Sequence, residues 1–239
     1  MAVLEVKNIG KHFGSTNVLD DVSFTLEEGK ALAIIGSSGS GKTTLLRCLN
    51  FLETPDHGSI TVKGETLFDA DNPAKGQGSD LRTKRLHFGM VFQAFHLFPQ
   101  YTALENVTLA EKLLAKEQPD FKQKKKEIYE KIDAHGKELL NRMGLSERMQ
   151  HYPHQLSGGQ QQRVAIARSL AAKPDIIFAD EPTGNLDSKS GGEVMELLKS
   201  VSGEMEKTLV VITHDSRVAS MAGRRLSIVD GRLLEVTEG

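Results

Sequence analysis

Residues 36–43, GSSGSGKT, place a glycine-rich turn directly before a lysine and a threonine, in the spacing G-x-x-x-x-G-K-[ST]. Glycine tolerates positive φ, so such a turn can point successive backbone N–H groups inward, towards an anion. Lys42 can then reach the β and γ phosphates of a nucleotide, and the Thr43 hydroxyl can complete the coordination shell of a Mg²⁺ ion. The stretch therefore predicts a site for a phosphorylated ligand.

Two carboxylates follow the apolar residues 176–179 in the sequence IIFADE. In an open α/β sheet, ligand-binding groups gather at the carboxyl ends of the strands. We expect Asp180 to hold Mg²⁺, directly or through water, and Glu181 to act as general base for an attacking water. Without a further signal, the same two residues would be interpreted as an ordinary acidic pair on the surface.

A second glycine-rich helix start, LSGGQ at residues 156–160, supplies that signal. Ser157 is a residue type that caps helices, and the first turn of a helix favours anions. One nucleotide does not need two such helix starts in one chain, whereas a head-to-tail dimer does. In that dimer, the loop 36–43 of each copy would face Ser157 and Gly159 of the other.

The pattern of apolar residues predicts the elements that position these groups. Strands are predicted for residues 3–6, 22–26, 31–35, 59–62, 88–92, 176–179, 209–213, 226–229 and 232–236. Helices are predicted from near residue 42, between 101 and 143 with an interruption at Pro119, and over 160–171, 193–201 and 218–222. The polar residues 69–78 are predicted to form an exposed loop.

Alternating strands and helices predict an α/β fold with a mostly parallel sheet, as in P-loop NTPases. We expect an antiparallel β lobe near the amino terminus and an inserted helical lobe of about residues 101–159. The remaining residues, 1–100 and 160–239, would form the α/β core and its β lobe, so that residues 1–239 make one nucleotide-binding domain.

The composition is that of a soluble globular chain. Its 239 residues carry a net charge of −2, which gives no global electrostatic reason to expect nucleic-acid binding. Cys48 is the only cysteine, so an intramolecular disulfide is excluded, and we expect a small buried side chain there. Neither a signal peptide nor an apolar run long enough to span a bilayer is found in the sequence. We therefore expect a cytoplasmic protein.

Over essentially its whole length, the chain resembles the ATP-binding subunit of ABC transporters. Five motifs occur in the order typical of that family: the loop 36–43, Gln93 at the end of a strand, LSGGQ at 156–160, the acidic strand 176–181, and His214 after the strand 209–213. The resemblance implies that the protein binds ATP and Mg²⁺ and hydrolyses ATP to ADP and phosphate, coupled to transport across a membrane.

The resemblance also implies roles for individual residues. Glu181, His214 and Gln93 are expected to take part in hydrolysis, His214 by contacting the γ-phosphate and Gln93 by reaching the metal and the attacking water. Phe13 would stack on adenine, although an ordinary packing role fits the sequence as well. The expected Mg²⁺ ligands are Thr43, Gln93 and Asp180. The residues expected to bind the nucleotide are Phe13, Val18, Gly36, Ser37, Ser38, Gly39, Ser40, Gly41, Lys42, Thr43, Thr44, Ser157, Gly158, Gly159, Gln160 and Asp187.

Two parts of the sequence disagree on the transported molecule. Residues 50–53 (NFLE) and 92–99 (FQAFHLFP) resemble the ATPases of polar amino-acid importers. Residues 184–187 are Gly-Asn-Leu-Asp where the family more often has Ser-Ala-Leu-Asp, and they resemble ATPases of lipoprotein release, peptide export or cell-wall machinery. We expect amino-acid import, because the segment after Gln93 borders the surface that receives the membrane partner, and the other complexes remain the alternative.

The expected partners are a second copy of the chain, transmembrane permease subunits and, through the permease, a solute-binding protein, with no nucleic acid among them. The protein would lie on the inner face of the cell membrane as a peripheral subunit. A soluble ABC protein of DNA repair or cofactor assembly is a weaker alternative, because DNA-repair members carry a long coiled coil where this chain has a short helical lobe.

Overall fold

The computed structural model describes residues 2–72 and 80–236, which form two compact units. Of the described residues, the first unit comprises 2–72, 80–88, 175–181 and 202–236, and the second comprises 89–174 and 182–201. Residues 73–78 of the expected exposed loop lie outside the described residues.

The strands and helices alternate along most of the chain. The strands are β1 (Ala2–Phe13), β2 (Thr16–Glu27), β3 (Ala31–Ile35), β4 (His57–Val62), β5 (Glu65–Asp69), β6 (Phe88–Val91), β7 (Ile176–Asp180), β8 (Thr208–Thr213), β9 (Arg224–Val229) and β10 (Arg232–Glu235). The helices are α1 (Lys42–Leu49), α2 (Leu81–Leu86), α3 (Ala103–Ala115), α4 (Phe121–Arg142), α5 (Gly158–Ala171), α6 (Ser188–Glu204) and α7 (Ser216–Ala219), with short 3-10 turns at Ser146–Arg148 and Pro153–Gln155.

An antiparallel sheet in the order β2-β1-β4-β5 forms one part of the first unit. In β2 the buried residues Val22, Phe24 and Leu26 alternate with exposed ones, as expected for a strand with one face against the core. β1 and β2 are each 12 residues long, far longer than the sequence predicted. Their pairing has register shifts, and Asn8 and Asp21 have positive φ, so bulges interrupt the alternation that would have revealed the full strands.

A mostly parallel sheet forms the other part of the first unit, with neighbours in the order β10-β9-β3-β8-β7. β3 pairs in parallel with both β8 and β9, β7 pairs in parallel with β8, and β10 is antiparallel to β9. All six residues of β8 are buried, which is typical of a parallel strand covered on both faces. Phe178 of β7 is fully buried and stacks on Phe88 with ring centroids 5.2 Å apart.

The second unit contains the helices α3, α4 and α5. Thr102 and Glu105 form a capping box at the start of α3, which satisfies backbone amides of its first turn. α4 packs closely on α3, because a Cβ atom at Gly136 would meet Thr108 and Leu104. Helices are thus present in the predicted region 101–143, and Pro119 lies between α3 and α4 as predicted.

Several element bounds differ from the prediction. α6 begins at Ser188, five residues earlier than expected, because the adjacent Gly191 and Gly192 concealed the helical pattern. α7 covers residues 216–219 and not 218–222, since Asp215 caps it by accepting a hydrogen bond from the Arg217 N–H. β5 and α2 were not predicted, and α2 has no buried residue that could have produced an apolar pattern. Within residues 2–72 and 80–236, we find no helix with the length and apolarity needed to cross a bilayer.

Candidate nucleotide-binding and hydrolysis site

The loop between β3 and α1 encloses the lysine that follows it. Lys42 Nζ donates hydrogen bonds to the carbonyl oxygens of Gly36 (2.8 Å) and Ser37 (2.7 Å). The Lys42 residue is only 8% exposed as a result. Gly41 is the N-cap of α1 and, as a glycine, has no side chain that could cap the first amides of the helix. A buried ammonium group beside an uncapped helix start is an arrangement that attracts a phosphate.

Glycine is required at two positions of this loop. A Cβ atom on Gly36 would lie 2.6 Å from the Ile228 carbonyl oxygen, and one on Gly41 would lie 2.8 Å from the Val18 carbonyl oxygen. Gly41 also has a φ of 104°, a value that side chains rarely permit. The path of the loop therefore depends on these two glycines. Among the other expected ligands in and after the loop, Ser37, Ser38, Gly39 and Thr43 are exposed, Thr44 is half-buried, and Ser40 is buried.

The strand register brings three predicted segments to one edge of the parallel sheet. Ile35, which precedes the loop, is paired with Thr213 of β8. Asp180 at the end of β7 is paired with Ile212 of the same strand. Because parallel strands end at the same edge, the loop 36–43, the acidic pair and His214 follow neighbouring strand ends. The three strands are present where the sequence predicted them, and the roles of these residues in ligand binding stay predictions.

The Glu181 carboxylate is held by two residues that follow each other at the end of β8. His214 Nδ1 lies 2.8 Å from Glu181 Oε1, and the Thr213 hydroxyl donates to Glu181 Oε2 at 3.3 Å. The Glu181 backbone has a φ of 46°, and its N–H donates to the Ile212 carbonyl oxygen at 2.9 Å. A non-glycine residue in this region is strained, and such strain is concentrated at functional sites.

Asp180 lies in a different electrostatic environment from Glu181. Burial raises the pKa of the Asp180 carboxyl group above its ordinary value, and the neighbouring Glu181 raises it further, whereas the Lys42 charge lowers it. The lysine of the loop thus acts electrostatically on the first residue of the acidic pair. The side chain of Glu181 is 17% exposed and that of His214 is 71% exposed, so the pair they form opens to solvent on the histidine side.

Phe13 and Val18 lie on the hairpin formed by β1 and β2. Phe13 is 49% exposed, which does not fit the packing role that the sequence left open. The Lys11 ammonium group lies 5.2 Å from the Phe13 ring centroid and is itself held by Thr54 and Asp56. Because the Val18 carbonyl oxygen approaches Gly41, this hairpin lies against the start of α1.

In the second unit, Ser157 caps α5 as predicted. Its hydroxyl accepts a hydrogen bond from the Gln160 N–H at 3.3 Å, and Gln160 Oε1 accepts one from the Ser157 N–H at 3.0 Å. This capping box leaves the amides of Gly158 and Gly159, the first two of the helix, outside it. A Cβ atom on Gly158 would lie 3.2 Å from Leu186 Cδ2, so the loop 184–187 packs on this helix start.

Gln93 and Asp187, also in the second unit, each have partners within it. Asn185 Nδ2 donates to the Gln93 carbonyl oxygen at 3.1 Å, and Gln93 Nε2 lies 3.5 Å from Asn185 Oδ1. Asp187 Oδ1 accepts hydrogen bonds from the N–H groups of Lys189 and Ser190 at the start of α6. A hydrogen bond from the Ser190 hydroxyl is the main cause of a lowered pKa at the Asp187 carboxyl group, and the two N–H groups lower it further.

Comparison with known proteins identifies the family. A family model described as "ABC transporter" matches residues 19–184, which include the loop 36–43 and the acidic pair. The chain belongs to the ABC transporter family. It is the ATP-binding subunit of that family, and the resemblance seen in the sequence is confirmed, together with the α/β fold class and the assignment as a transport ATPase.

Relatives of this ABC protein extend over nearly its whole length. It is 41% identical over 236 residues to the lipoprotein-releasing system ATP-binding protein LolD of Shewanella frigidimarina, covering 97% of this chain and 92% of that one. It is 42% identical over 232 residues to the L-cystine import ATP-binding protein TcyC of Bacillus subtilis, covering 97% and 88%. A solved dimeric ATP-binding cassette bound to ADP and Pi is 35% identical, with a TM-score of 0.78 and coverage of 99% and 100%.

Three polar residues of this ABC protein were missed in the sequence. Thr213 binds Glu181, and its place directly before His214 at a strand end was the available signal. Asn185 was noted only as a departure from the usual motif, not as a partner of Gln93. Gln162 of α5 is fully buried and donates to the carbonyl oxygens of Phe92 (3.1 Å) and Pro182 (2.7 Å). Its position four residues before the buried Ile166 could have placed it on the inner face of the helix.

Proposed function

We propose that this ABC ATPase binds ATP through the loop 36–43 and hydrolyses it with Glu181 as general base. The observation that supports the proposal most directly is that the Glu181 carboxylate, which follows β7, is held by Thr213 and His214 at the end of β8, the strand next to β3. A base must be held in a defined position to take a proton from water in the transition state. Each carboxylate oxygen of Glu181 has a partner that holds it, His214 at Oε1 and Thr213 at Oε2.

The loop supplies the positive charge for the phosphates. Lys42 already donates two hydrogen bonds to loop carbonyls, so its third proton remains to be shared with a phosphate oxygen. The N-terminal amides of α1 add a second set of donors for the negative charge. We propose that Ser37, Ser38, Gly39, Ser40, Gly41 and Thr44 bind the phosphates through this loop and helix start. Val18 and the exposed Phe13, both on the β1–β2 hairpin, would bind the adenine ring.

The donor groups fit a magnesium ion. Thr43 offers a hydroxyl oxygen, Asp180 a carboxylate oxygen and Gln93 an amide oxygen, and Mg²⁺ prefers such hard oxygen ligands. We propose these three residues as its protein ligands. When bound, the ion neutralises charge that develops on the β and γ phosphates.

In the proposed hydrolysis, Glu181 takes the proton of the attacking water. Its carboxylate accepts a proton as the water oxygen forms a bond to the γ-phosphorus, and the bond from that phosphorus to the bridging oxygen breaks, giving ADP and phosphate. His214, on the exposed side of Glu181, contacts the γ-phosphate in this proposal and also orients the carboxylate through Nδ1.

Two copies of the chain would form the complete sites. The start of α5 has two glycine amides outside its capping box, and a second copy could direct them, with the Ser157 hydroxyl and Gln160, at the γ-phosphate held by the loop 36–43. Asp187 would lie at the seam between the copies. The solved relative bound to ADP and Pi is dimeric, which supports this arrangement.

We propose that transmembrane permease subunits are the further partners and that the protein is cytoplasmic and peripheral on the inner face of the membrane. Residues 50–53 and 92–99 favour import of polar amino acids, with a solute-binding protein acting through the permease. Gly184 and Asn185 favour the second candidate, a lipoprotein-release or related export complex. Affinity purification of the chain with its native membrane partners separates the two, because an importer brings a permease that binds a solute-binding protein and an export complex does not.

Substitution of Glu181 tests the hydrolytic proposal. Glu181→Gln keeps the shape of the side chain but cannot accept the proton, so we expect ATP binding to persist and turnover to fall by about 10²-fold or more. The trapped ATP should also hold two copies together, which size-exclusion chromatography with and without MgATP will show. Glu147→Gln, a change in the exposed 3-10 turn Ser146–Arg148, is the matched control. Turnover of Glu181→Gln equal to that of the parent would refute the assignment of the base.

A further inference from the structure

The loop 184–187 and the end of β6 are joined by a pair of side-chain amides. Asn185 Nδ2 donates to the Gln93 carbonyl oxygen at 3.1 Å. A carbonyl oxygen only accepts, so this bond fixes which end of the Asn185 amide faces Gln93. Asn185 Oδ1 is then directed towards Gln93 Nε2, at 3.5 Å, the long end of the hydrogen-bond range. One side chain thus contacts both the backbone and the side chain of Gln93.

Gly184 provides the space for the Gln93 side chain. A Cβ atom at position 184 would lie 2.6 Å from Gln93 Nε2 and 2.9 Å from Gln93 Cδ. The obstructed atoms belong to the free end of a flexible side chain, and the φ of Gly184 is not positive, so alanine could be accommodated if the Gln93 amide moved. The absence of a side chain at Gly184 and the amide of Asn185 therefore determine the same feature, the position of the Gln93 amide.

A buried residue fixes the two backbone segments that carry this pair. Gln162 Nε2 donates to the carbonyl oxygens of Phe92, directly before Gln93, and of Pro182, two residues before Gly184. Gln162 is fully buried, so water does not compete for these hydrogen bonds. The end of β6 and the loop 184–187 are thus held at one position on α5, and the Asn185–Gln93 pair adds side-chain order to that backbone frame.

We propose that Asn185 is a positioning residue for Gln93, and that Gly184 and Asn185 together set the orientation of the Gln93 amide for hydrolysis. The inference rests on the proposed function, in which Gln93 reaches the metal and the attacking water. Asn185 acts through Gln93 and does not touch the substrate itself. Residues 184 and 185, where the chain departs from the more common Ser-Ala, thereby acquire a role in turnover.

A double-substitution cycle tests the proposal on the full chain. Asn185→Ala should lower kcat for MgATP roughly 3- to 10-fold, the effect of losing one or two net hydrogen bonds, with the KM for ATP within twofold of the parent. In a Gln93→Ala background the same substitution should have no further effect, because the residue through which it acts is gone. Gly184→Ala should reproduce the loss in kcat, and Gly192→Ala, on an exposed glycine of α6 with no atom near the added methyl group, should not.

A spectroscopic measurement tests the link without turnover. The side-chain amide resonances of Gln93 can be assigned in ¹⁵N–¹H spectra by their loss in Gln93→Ala. They should shift in Asn185→Ala and Gly184→Ala and remain in place in Gly192→Ala. An unshifted Gln93 amide in Asn185→Ala would overturn the proposal, as would equal losses of kcat in the parent and Gln93→Ala backgrounds. If the parent chain and its complex hydrolyse no ATP, the proposed function fails, and the spectra still decide whether Asn185 orders Gln93.

Discussion

The starts of α1 and α5 are both rich in glycine, yet their backbone amides are satisfied in different ways. At α1, Gly41 provides no capping side chain, and Lys42 lies inside the preceding loop. At α5, Ser157 and Gln160 close a capping box, and the first turn carries no charged residue. The start of α1 therefore combines a positive charge with uncapped amides, whereas the start of α5 offers hydrogen-bond donors but no positive charge.

This difference assigns unequal roles to two motifs that look similar in sequence. A phosphate is held most strongly where hydrogen bonds to it are assisted by charge. We therefore expect α1 and its loop to determine whether ATP binds to one chain, and α5 to determine how fast bound ATP is hydrolysed between two chains. Substitutions at the two helix starts should affect different measurements.

Removal of the lysine should have the largest effect. Lys42→Ala deletes the charge at the loop, and we expect ATP affinity to fall by about 10²-fold, the effect of losing hydrogen bonds to charged groups. Isothermal titration calorimetry with ATP and Mg²⁺ on the dilute chain measures this change. Lys30→Ala, at an exposed lysine just before β3, is the control and should bind ATP like the parent. Wild-type affinity in Lys42→Ala would contradict the assignment of α1 as the primary anion site.

A methyl group at one glycine of each helix start tests their backbone geometry. Gly41→Ala introduces a Cβ atom 2.8 Å from the Val18 carbonyl oxygen at a φ of 104°, so we expect the free energy of unfolding to fall by about 1–3 kcal/mol. Gly159→Ala meets only the Ser190 side chain, at 3.6 Å, and adds a better helix former, so the fold should be as stable as the parent. Urea unfolding followed by circular dichroism compares the two. Equal destabilisation would show that the two turns are under similar constraint.

Loss of the serine hydroxyl should affect turnover more than binding. Ser157→Ala should lower ATP hydrolysis about 10-fold, since one hydrogen bond to a charged group is lost, and leave the ATP affinity of the dilute chain unchanged. It should also lower the melting temperature by about 2–4 °C through the loss of the helix cap. Ser157→Thr keeps a hydroxyl that can both cap the helix and donate to the phosphate, so it should restore stability and turnover together. A loss of ATP affinity as large as that in Lys42→Ala would remove the distinction between the helix starts.

The sequence predicted which strands and helices form better than it predicted the contacts that their residues make. Ser157 and the ends of β3, β7 and β8 were placed correctly because capping residues and apolar runs are local signals. The length of β1 and β2 was hidden by bulges at positive-φ residues, which no alternation pattern records. The partners of Glu181 and Gln93 depend on strand pairing and loop packing, so the Asn185 contact was beyond a local pattern. The contrast between a capped and an uncapped glycine-rich helix start likewise required the backbone conformation.

The buried side chains of α1 and α5 should differ in how their contribution to the free energy of unfolding changes with pH above 9. Cys48 of α1 is fully buried, which confirms its expected role, and burial raises the pKa of its thiol from 9.0 to about 12. The buried polar side chains of α5, Gln162 and Ser169, do not titrate. Because the folded state retains the thiol proton that the unfolded state loses above pH 9, the stabilisation from Cys48 is present in full below pH 9 and is lost between pH 9 and about 12.

The comparison with Cys48→Ala isolates this contribution, since the small cavity left by the substitution does not depend on pH. The difference in free energy of unfolding between the parent and Cys48→Ala should shrink as the pH rises above 9, by up to ~1.4 kcal/mol per pH unit. Urea unfolding at pH 8, 9 and 10 measures it, and the substitution Ser169→Ala on α5 should show a difference that is constant with pH. A constant difference for Cys48→Ala as well would mean that the thiol titrates alike in the folded and unfolded states, and that the underside of α1 is as accessible to solvent as the unfolded chain.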